Sequence, residues 1–252
     1  MAVFKTGKAD ENRLQAIQSF TDQFTHEGIA ACELPPAADC LEVGAGYGSI
    51  AVWLAQRFPE GTVQAVDIDV EPLEPLAASM PALQVVESDI SALDFDAGTF
   101  DLIHARFVLS HLGDRDELVQ KFGSWLRPGG YLVVTDAYQL AHCKSPHPVV
   151  AKVFGAYGDY VASRGMDLQW VRSVPSLFAR SGLGDVTHSG RTTFLGGGEA
   201  DRWAPLIQPV AEALIDAGGV TEADMSEFFL ALDDPTVMDI PQVIITVVGR
   251  KS

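Results

Sequence analysis

The chain of 252 residues is poor in cysteine and in basic residues. Its three cysteines, Cys32, Cys40 and Cys143, are an odd number without C-x-x-C spacing, which fits neither a disulfide framework nor a zinc site. The 17 lysines and arginines against 34 aspartates and glutamates give a net charge of −17, which repels nucleic acid backbones and anionic lipid. We therefore expect a reduced, cytoplasmic protein whose partners include neither nucleic acid nor membrane.

Long apolar segments, repeats and low-complexity runs are also missing. No stretch approaches the 18 consecutive apolar residues of a membrane span, and the opening MAVFKTGKADENR lacks the apolar core of a secretory signal. No metal-ligand spacing such as H-x-x-x-H occurs. These absences predict a soluble, unexported chain without a metal.

What the sequence contains is an alternation of short apolar runs with helical patterns. The runs at 38–43, 62–66, 83–86, 100–105, 131–135, 185–194 and 241–249 predict strands, and amphipathic segments such as 114–126 predict helices between them. Apolar strands that alternate with helices are typical of a parallel sheet covered on both faces. We predict an α/β fold with a doubly wound, Rossmann-like, mostly parallel seven-stranded sheet.

Helical segments flank and interrupt this core. Residues 1–36 predict an N-terminal helical cap, and 37–136 the ligand-binding core. Helical patterns at 138–175 and 197–238 separate the last three predicted strands. Because insertions this long in a compact domain are usually functional, we expect two helical lids on one domain of residues 1–252.

The most informative segment is a glycine-rich turn after the first strand. Gly44, Gly46 and Gly48 follow the acidic Glu42 in LEVGAGYG. Glycine permits a tight turn and lets a ligand approach the backbone amides at a helix start. The G-x-G-x-G spacing differs from the G-x-G-x-x-G of dinucleotide enzymes, which weakens an assignment to NAD. A nucleotide-like ligand is indicated.

Two further strand ends carry carboxylates. Asp67 ends the second strand, 19 residues after Gly48, and Asp89 follows the third. An acidic side chain at such a strand end can accept both hydroxyls of a ribose. Either aspartate alone could be a helix N-cap, but together with the glycine turn they indicate a ligand site at the carboxyl edge of the sheet.

From about residue 12 to 136 the chain resembles the class I S-adenosylmethionine-dependent methyltransferases. LEVGAGYGSIAVWLAQR is similar to the first family motif, AVDID to its ribose motif, and SDI, FDLIHARFVLSHL and LRPGGYLVVTD to its later motifs. In layout the chain is most similar to the small-molecule branch of bacterial secondary metabolism. The resemblance implies S-adenosylmethionine as cofactor, bound by Glu42, Gly44, Ala45, Gly46, Gly48, Asp67, Ile68, Asp89, Ile90, His104 and Arg106.

The resemblance also implies individual roles. Glu42 would orient the loop or the methionine ammonium, and Asp67 would hold the ribose. Ile68 would pack on the adenine, and Asp89 would bind its amino group. Residues 104–106 would line the methionine end.

Methyl transfer depends on in-line geometry and needs a base only when the acceptor must lose a proton. Candidates for assisting the transfer lie near the expected opening of the cofactor site. They are His104, His111, Asp136, Tyr138, His142, Cys143 and His147. We take Tyr138 and His142 as the candidate catalytic residues because they open an insertion that should cover the site. We expect His111 to be structural, and Arg13 fits either the methionine carboxylate or a solvated helix face.

The predicted function is methyl transfer to an O, N or C atom of a small organic acceptor, as in antibiotic biosynthesis, with release of S-adenosylhomocysteine. The pattern is compatible with a monomer or a homodimer. Two alternatives stay open: an S-adenosylmethionine-binding protein with lost or repurposed catalysis, and an NAD-dependent oxidoreductase. A macromolecular acceptor is disfavoured, because the sequence has neither a basic groove nor a recognition domain.

Overall fold

A computed structural model describes residues 8–197 and 203–252. The start of the predicted cap, residues 1–7, and positions 198–202 of the second predicted insertion lie outside the described residues.

Within the described residues, seven strands form one sheet in the order β3-β2-β1-β4-β5-β7-β6. The pairs β1–β2, β1–β4, β2–β3 and β4–β5 are parallel. The prediction of a doubly wound, mostly parallel seven-stranded sheet is confirmed. The strands are β1 (Cys40–Val43), β2 (Val63–Asp67), β3 (Leu83–Glu87), β4 (Phe100–Arg106), β5 (Leu126–Gln139), β6 (Leu183–Gly196) and β7 (Met238–Lys251).

The helices fall in the gaps between the strands and before the first one. A leading helix precedes β1, and four helices lie where the two insertions were predicted. In the described part of the chain they are α1 (Lys8–Ala30), α2 (Ser49–Arg57), α3 (Glu74–Ser79), α4 (Arg115–Trp125), α5 (Pro148–Ser163), α6 (Val174–Arg180), α7 (Trp203–Ile207), α8 (Ala211–Asp216) and α9 (Glu222–Asp233).

Three strands, β5, β6 and β7, are longer than predicted; β6, predicted at 185–194, extends over Leu183–Gly196. The segment Arg127-Pro128-Gly129-Gly130, which falls between the helix predicted at 114–126 and the strand predicted at 131–135, lies inside β5. A register irregularity between Phe100 and Leu102 of β4 accommodates it, because a bulge takes up extra residues without ending the strand pairing. The closing strand, predicted at 241–249, extends over Met238–Lys251.

The chain divides into two compact units. The first, called the sheet unit, comprises residues 21–136, 170–189 and 245–252. The second, called the helical unit, comprises the described parts of 1–20, 137–169 and 190–244. The domain boundaries drawn from the sequence stay a prediction.

Each unit has its own apolar core. In the sheet unit, α2 residues such as Leu54 are buried among strand residues such as Val63 and Leu102. In the helical unit, Phe154 of α5 lies at the centre, with its ring centroid 5.0 Å from that of Trp203 and 6.2 Å from that of Phe228. Burial of side chains of this size stabilises by about 1.5–3 kcal/mol each. Among the residues that the structure describes, no helix is long and apolar enough to cross a membrane.

Candidate functional site

The glycine turn joins β1 to α2 in the sheet unit. Gly44, Gly46 and Gly48 have φ values of +68°, +54° and +81°, a left-handed conformation that favours glycine. A Cβ atom on Gly44 would lie 2.1 Å from Cγ2 of Val108, so space as well as conformation excludes a side chain there. Gly48 is the N-cap of α2, and no side-chain hydrogen bond caps this helix. The first amides of α2 are therefore suited to a ligand.

Asp67 at the end of β2 is tied to this turn. Its Oδ2 accepts a hydrogen bond from the Gly46 amide at 2.7 Å, and its Oδ1 accepts one from the Asp69 amide at 3.1 Å. A carboxylate oxygen has two lone pairs, so both oxygens retain the capacity to accept from ribose hydroxyls. The residue predicted to hold a ribose thus also organises the turn.

The residues predicted to surround the adenine differ in exposure. Ile68 follows Asp67 and is 68% exposed, whereas Ile90 is buried. Asp89 is exposed and is the N-cap of a short 3-10 turn, where its Oδ1 accepts from the Ser91 amide at 2.9 Å. The exposed Ile68 and the adjacent carboxylate of Asp67 are thus suited to a ligand in which an aromatic ring is joined to a ribose.

Glu42 and His104 occupy paired positions on β1 and β4. Oε2 of Glu42 lies 2.6 Å from Nδ1 of His104, and both side chains are buried. The Nε2 atom of His104 is buried without a hydrogen-bond partner in the described part of the chain. Because an unsatisfied buried polar atom is costly, this nitrogen is the orphaned group that a bound molecule could satisfy.

Arg106, at the end of β4, has protein partners on both sides. Nη1 donates to Oδ1 of Asp22 at 2.6 Å, and Nη2 donates to Oγ of Ser49 at 3.3 Å. The Ser49 hydroxyl in turn donates to Oδ1 of Asp22 at 3.1 Å. Sequence reasoning missed Asp22 and Ser49. Asp22 lies 27 positions from Ser49 and 84 positions from Arg106, and no local pattern connects residues so far apart.

The segment after β4 is held in a strained conformation. Phe107 has a φ of +54°, rare for a residue with a side chain and costing about 1–3 kcal/mol. Its amide donates to the Thr135 carbonyl at 3.0 Å. The Ser110 amide and hydroxyl donate to the buried carboxylate of Asp136 at 3.2 and 3.1 Å. Asp136, one of the candidates near the expected opening, therefore supports this loop.

The other candidates lie in different surroundings. Tyr138 is half-buried near the end of β5. His142 is exposed in a 3-10 turn. Its ring lies close to Gly155, where an added Cβ atom would be 3.0 Å from Nε2 of His142. Nε2 of His147 lies 3.2 Å from the Met238 carbonyl oxygen. These three belong to the helical unit, whereas every residue of the predicted cofactor set belongs to the sheet unit. The catalytic role of Tyr138 and His142 stays a prediction.

Thiols and metal ligands are not gathered in this region. Cys32 and Cys40 are buried and Cys143 is exposed, and all three are free thiols. Among residues 8–197 and 203–252, no three His, Cys, Asp or Glu side chains are placed to hold a metal ion.

Residues 40–130 match the model of the methyltransferase domain family. This part of the chain therefore contains a methyltransferase domain. The matched residues contain the glycine turn, Asp67, Asp89, His104 and Arg106.

Among the proteins similar to this chain is phosphoethanolamine N-methyltransferase from Triticum aestivum, 27% identical over 172 residues, which are 67% of this chain and 32% of the relative. Methyltransferase str3 from Strobilurus tenacellus is 32% identical over 128 residues, 51% of this chain and 46% of the relative. The chain thus spans a third to a half of the length of these relatives. Phosphoethanolamine N-methyltransferase 2 from Haemonchus contortus, solved with phosphomonomethylethanolamine and S-adenosylhomocysteine, has a TM-score of 0.61 at 16% identity, covering 92% of this chain and 53% of that one.

Proposed function

We propose that this protein transfers a methyl group from S-adenosylmethionine to an O, N or C atom of a small organic acceptor and releases S-adenosylhomocysteine. The observation that carries the proposal is the hydrogen bond from the Gly46 amide to Asp67, which joins the glycine turn to the predicted ribose carboxylate. Relatives named as methyltransferases support the reaction type. One is named phosphoethanolamine N-methyltransferase, and another is named methyltransferase str3. When bound, S-adenosylmethionine supplies an activated methyl group on a cationic sulfonium.

The sheet unit would bind the nucleoside part of this cofactor. Asp67 would accept hydrogen bonds from the ribose hydroxyls. The Gly46 and Asp69 amides hold its two oxygens in place. The exposed side chain of Ile68 would pack on the adenine, and Asp89 would accept a hydrogen bond from its amino group. Because these groups are oriented before binding, little conformational entropy is lost when the cofactor arrives.

The methionine part would lie against the glycine turn and the end of β4. Gly44 and Gly46 expose backbone there because they have no side chains. His104 is held by Glu42 through Nδ1, which leaves Nε2 to meet a polar group of the cofactor or acceptor. The remaining acceleration comes from holding the acceptor atom in line with the methyl group while water is excluded.

Residues at the start of the first predicted lid would contact the acceptor. Tyr138 and His142 are our candidates for positioning it or for removing its proton, a step needed only for an acceptor that loses one. A small acceptor fits the relative named phosphoethanolamine N-methyltransferase, and the free thiols fit a cytoplasmic protein. A natural-product acceptor and a monomer or homodimer complete the proposal.

Calorimetry tests the cofactor proposal directly. We expect S-adenosylhomocysteine to bind and NADH not to bind. Asp67→Ala should weaken binding about 10- to 100-fold, because hydrogen bonds to a charged group contribute about 1.5–3 kcal/mol. Asp69→Ala is the matched control: it removes a neighbouring carboxylate that accepts from the Glu71 amide at 3.3 Å, and it should leave binding nearly unchanged. Absence of binding at millimolar S-adenosylmethionine and S-adenosylhomocysteine would overturn the proposal.

Turnover separates the enzyme from a pure binding protein. The protein is incubated with methyl-labelled S-adenosylmethionine and a panel of phenols, amines, indoles and phosphoethanolamine. Label transferred to an acceptor supports the enzyme, whereas tight binding without transfer supports repurposed catalysis. Once an acceptor is known, Tyr138→Phe and His142→Ala should lower kcat, while His188→Ala, at an exposed position of β6, should not.

A further inference from the structure

We infer that Asp22, Ser49 and Arg106 form a positioning cluster that fixes the glycine turn against α1 and thereby sets the affinity for the cofactor. The inference rests on the proposed function, because it assumes that the cofactor binds at this turn. It gives Arg106 a different role from the one that the family resemblance implies. Arg106 would act through Ser49 and not as a direct ligand.

The three side chains form a closed ring of hydrogen bonds. Oδ1 of Asp22 accepts from Nη1 of Arg106 at 2.6 Å and from Oγ of Ser49 at 3.1 Å, and Nη2 of Arg106 reaches the same hydroxyl at 3.3 Å. The Arg106 side chain is only 9% exposed, and the Asp22 carboxylate compensates its charge. Loss of any one member removes two contacts.

The ring acts on the turn through the segment that leaves β4. Ser49 directly follows Gly48 and is the first residue of α2, so Arg106 holds the end of the turn. Val108, two residues further on, packs against the position where Gly44 would carry a Cβ and so holds the start of the turn. Both ends of the G-x-G-x-G turn are therefore in contact with residues 106–108.

A second contact, one helical turn away, joins α1 to α2. The ring of His26 stacks on that of Trp53, with centroids 4.3 Å apart and an angle of 18° between the planes. Asp22 and His26 are four residues apart on α1, and their partners Ser49 and Trp53 are four apart on α2. Residues at this spacing share one helix face, so one face of α1 lies along one face of α2. The position of α1 is thus coupled to the N-terminus of α2, where the proposed ligand binds.

The experiment measures the dissociation constant of S-adenosylhomocysteine by calorimetry for Ser49→Ala, Asp22→Asn and the double variant. We expect each single variant to weaken binding about tenfold, and the double variant to be little worse than either, because coupled residues are not additive. Ser49→Thr keeps the hydroxyl and should restore affinity. Gln23→Ala is the matched control on α1, since Gln23 is exposed and its Nε2 donates to Oε1 of Glu27 along the helix surface, at 2.9 Å.

A merely structural role would show in the melting temperature without cofactor. Ser49→Ala leaves the Asp22–Arg106 ion pair intact, and its melting temperature should stay within about 2 °C of that of the wild type. If Asp22→Asn fails to fold, the affinities of Ser49→Ala and Ser49→Thr for S-adenosylhomocysteine decide whether the positioning cluster exists.

Three results would contradict us in distinguishable ways. Wild-type protein that does not bind S-adenosylhomocysteine overturns the proposed function itself. Wild-type binding with Ser49→Ala and Asp22→Asn indistinguishable from Gln23→Ala overturns the positioning cluster alone. A loss in Ser49→Ala but none in Asp22→Asn means that Ser49 acts without α1, which overturns the coupling.

Discussion

Oε2 of Glu42 lies 2.6 Å from Nδ1 of His104 across the parallel pair β1–β4, and both side chains are buried. The two residues are 62 positions apart in the chain and meet because the register of the strands aligns them. Glu42 is also two residues before Gly44, so the acidic residue that precedes the glycine turn has a structural partner of its own. Stability and ligand binding are expected to depend on this pair together.

Glu42→Ala should lower the free energy of unfolding by about 1–3 kcal/mol, because it leaves a buried imidazole nitrogen without its partner. Glu42→Gln should cost less, since its amide oxygen can still accept a hydrogen bond. Urea unfolding measures both. Glu87→Ala, at an exposed strand-end carboxylate, is the control and should change stability by less than about 0.5 kcal/mol. Equal losses for Glu42→Ala and Glu87→Ala would mean that the buried pair contributes nothing.

Gly44→Ala should be much more harmful than Gly98→Ala. Both glycines are left-handed, with φ values of +68° and +74°, and an L-residue there costs about 1–2 kcal/mol. Only at Gly44 does the new Cβ meet another atom, Cγ2 of Val108 at 2.1 Å, whereas nothing lies within 4 Å at Gly98. Gly44→Ala combined with Val108→Ala should recover part of the loss. Denaturant midpoints and S-adenosylhomocysteine affinity test this, and identical losses at both glycines would contradict it.

The acid sensitivity of the helical unit should depend on Asp224. A hydrogen bond from Lys152, followed by those from Thr221 at the start of α9, lowers the pKa of Asp224 from 3.8 to about 2. Because the folded pKa is below the unfolded one, the ionised carboxylate stabilises the fold above pH 3.8, and this contribution disappears as the pH falls through about 2.

Melting temperatures against pH test this linkage. Asp224→Ala should melt below the wild type at pH 7, and the difference should shrink as the pH falls from about 4 to about 2. Asp233→Ala changes an exposed carboxylate at the other end of α9 and serves as the control. A difference that stays constant with pH would show that the lowered pKa of Asp224 does not contribute.

One thiol should react in the folded protein and three in the unfolded chain. Cys143 is exposed, whereas burial raises the pKa of the Cys32 thiol to about 12 and that of Cys40 further still. Since the thiolate is the reactive form, Ellman's reagent at pH 8 should titrate Cys143 quickly and the others only after addition of denaturant. Cys143→Ser should abolish the fast phase. Two or more fast thiols in the wild type would contradict the burial of Cys32 and Cys40.

Much of the fold could be predicted from the sequence because its signals are local. The period of apolar residues distinguishes strands from helices, and turn chemistry marks where β1 gives way to α2. The order of Gly44, Gly46, Gly48, Asp67 and Asp89 along the chain placed them at one edge, since the carboxyl ends of parallel strands share an edge. The failure at β5 has the same cause: Pro128 and Gly129 are locally turn residues, and only the pairing of Leu126 and Tyr131 on either side of them with β4 shows that the strand continues past them.

By itself the sequence determined the class of fold, the glycine turn and the identity of the carboxylates, because each depends on residues near one another in the chain. Only the tertiary structure decided the partners: Glu42 with His104, Gly44 with Val108, and Asp22 with Arg106. The last of these pairs spans 84 positions. Such contacts depend on strand register and on how α1 packs, to which many side chains contribute at once, so no local pattern encodes them. Arg106 was predicted from its motif, but its Asp22 and Ser49 partners emerged only once the chain was folded.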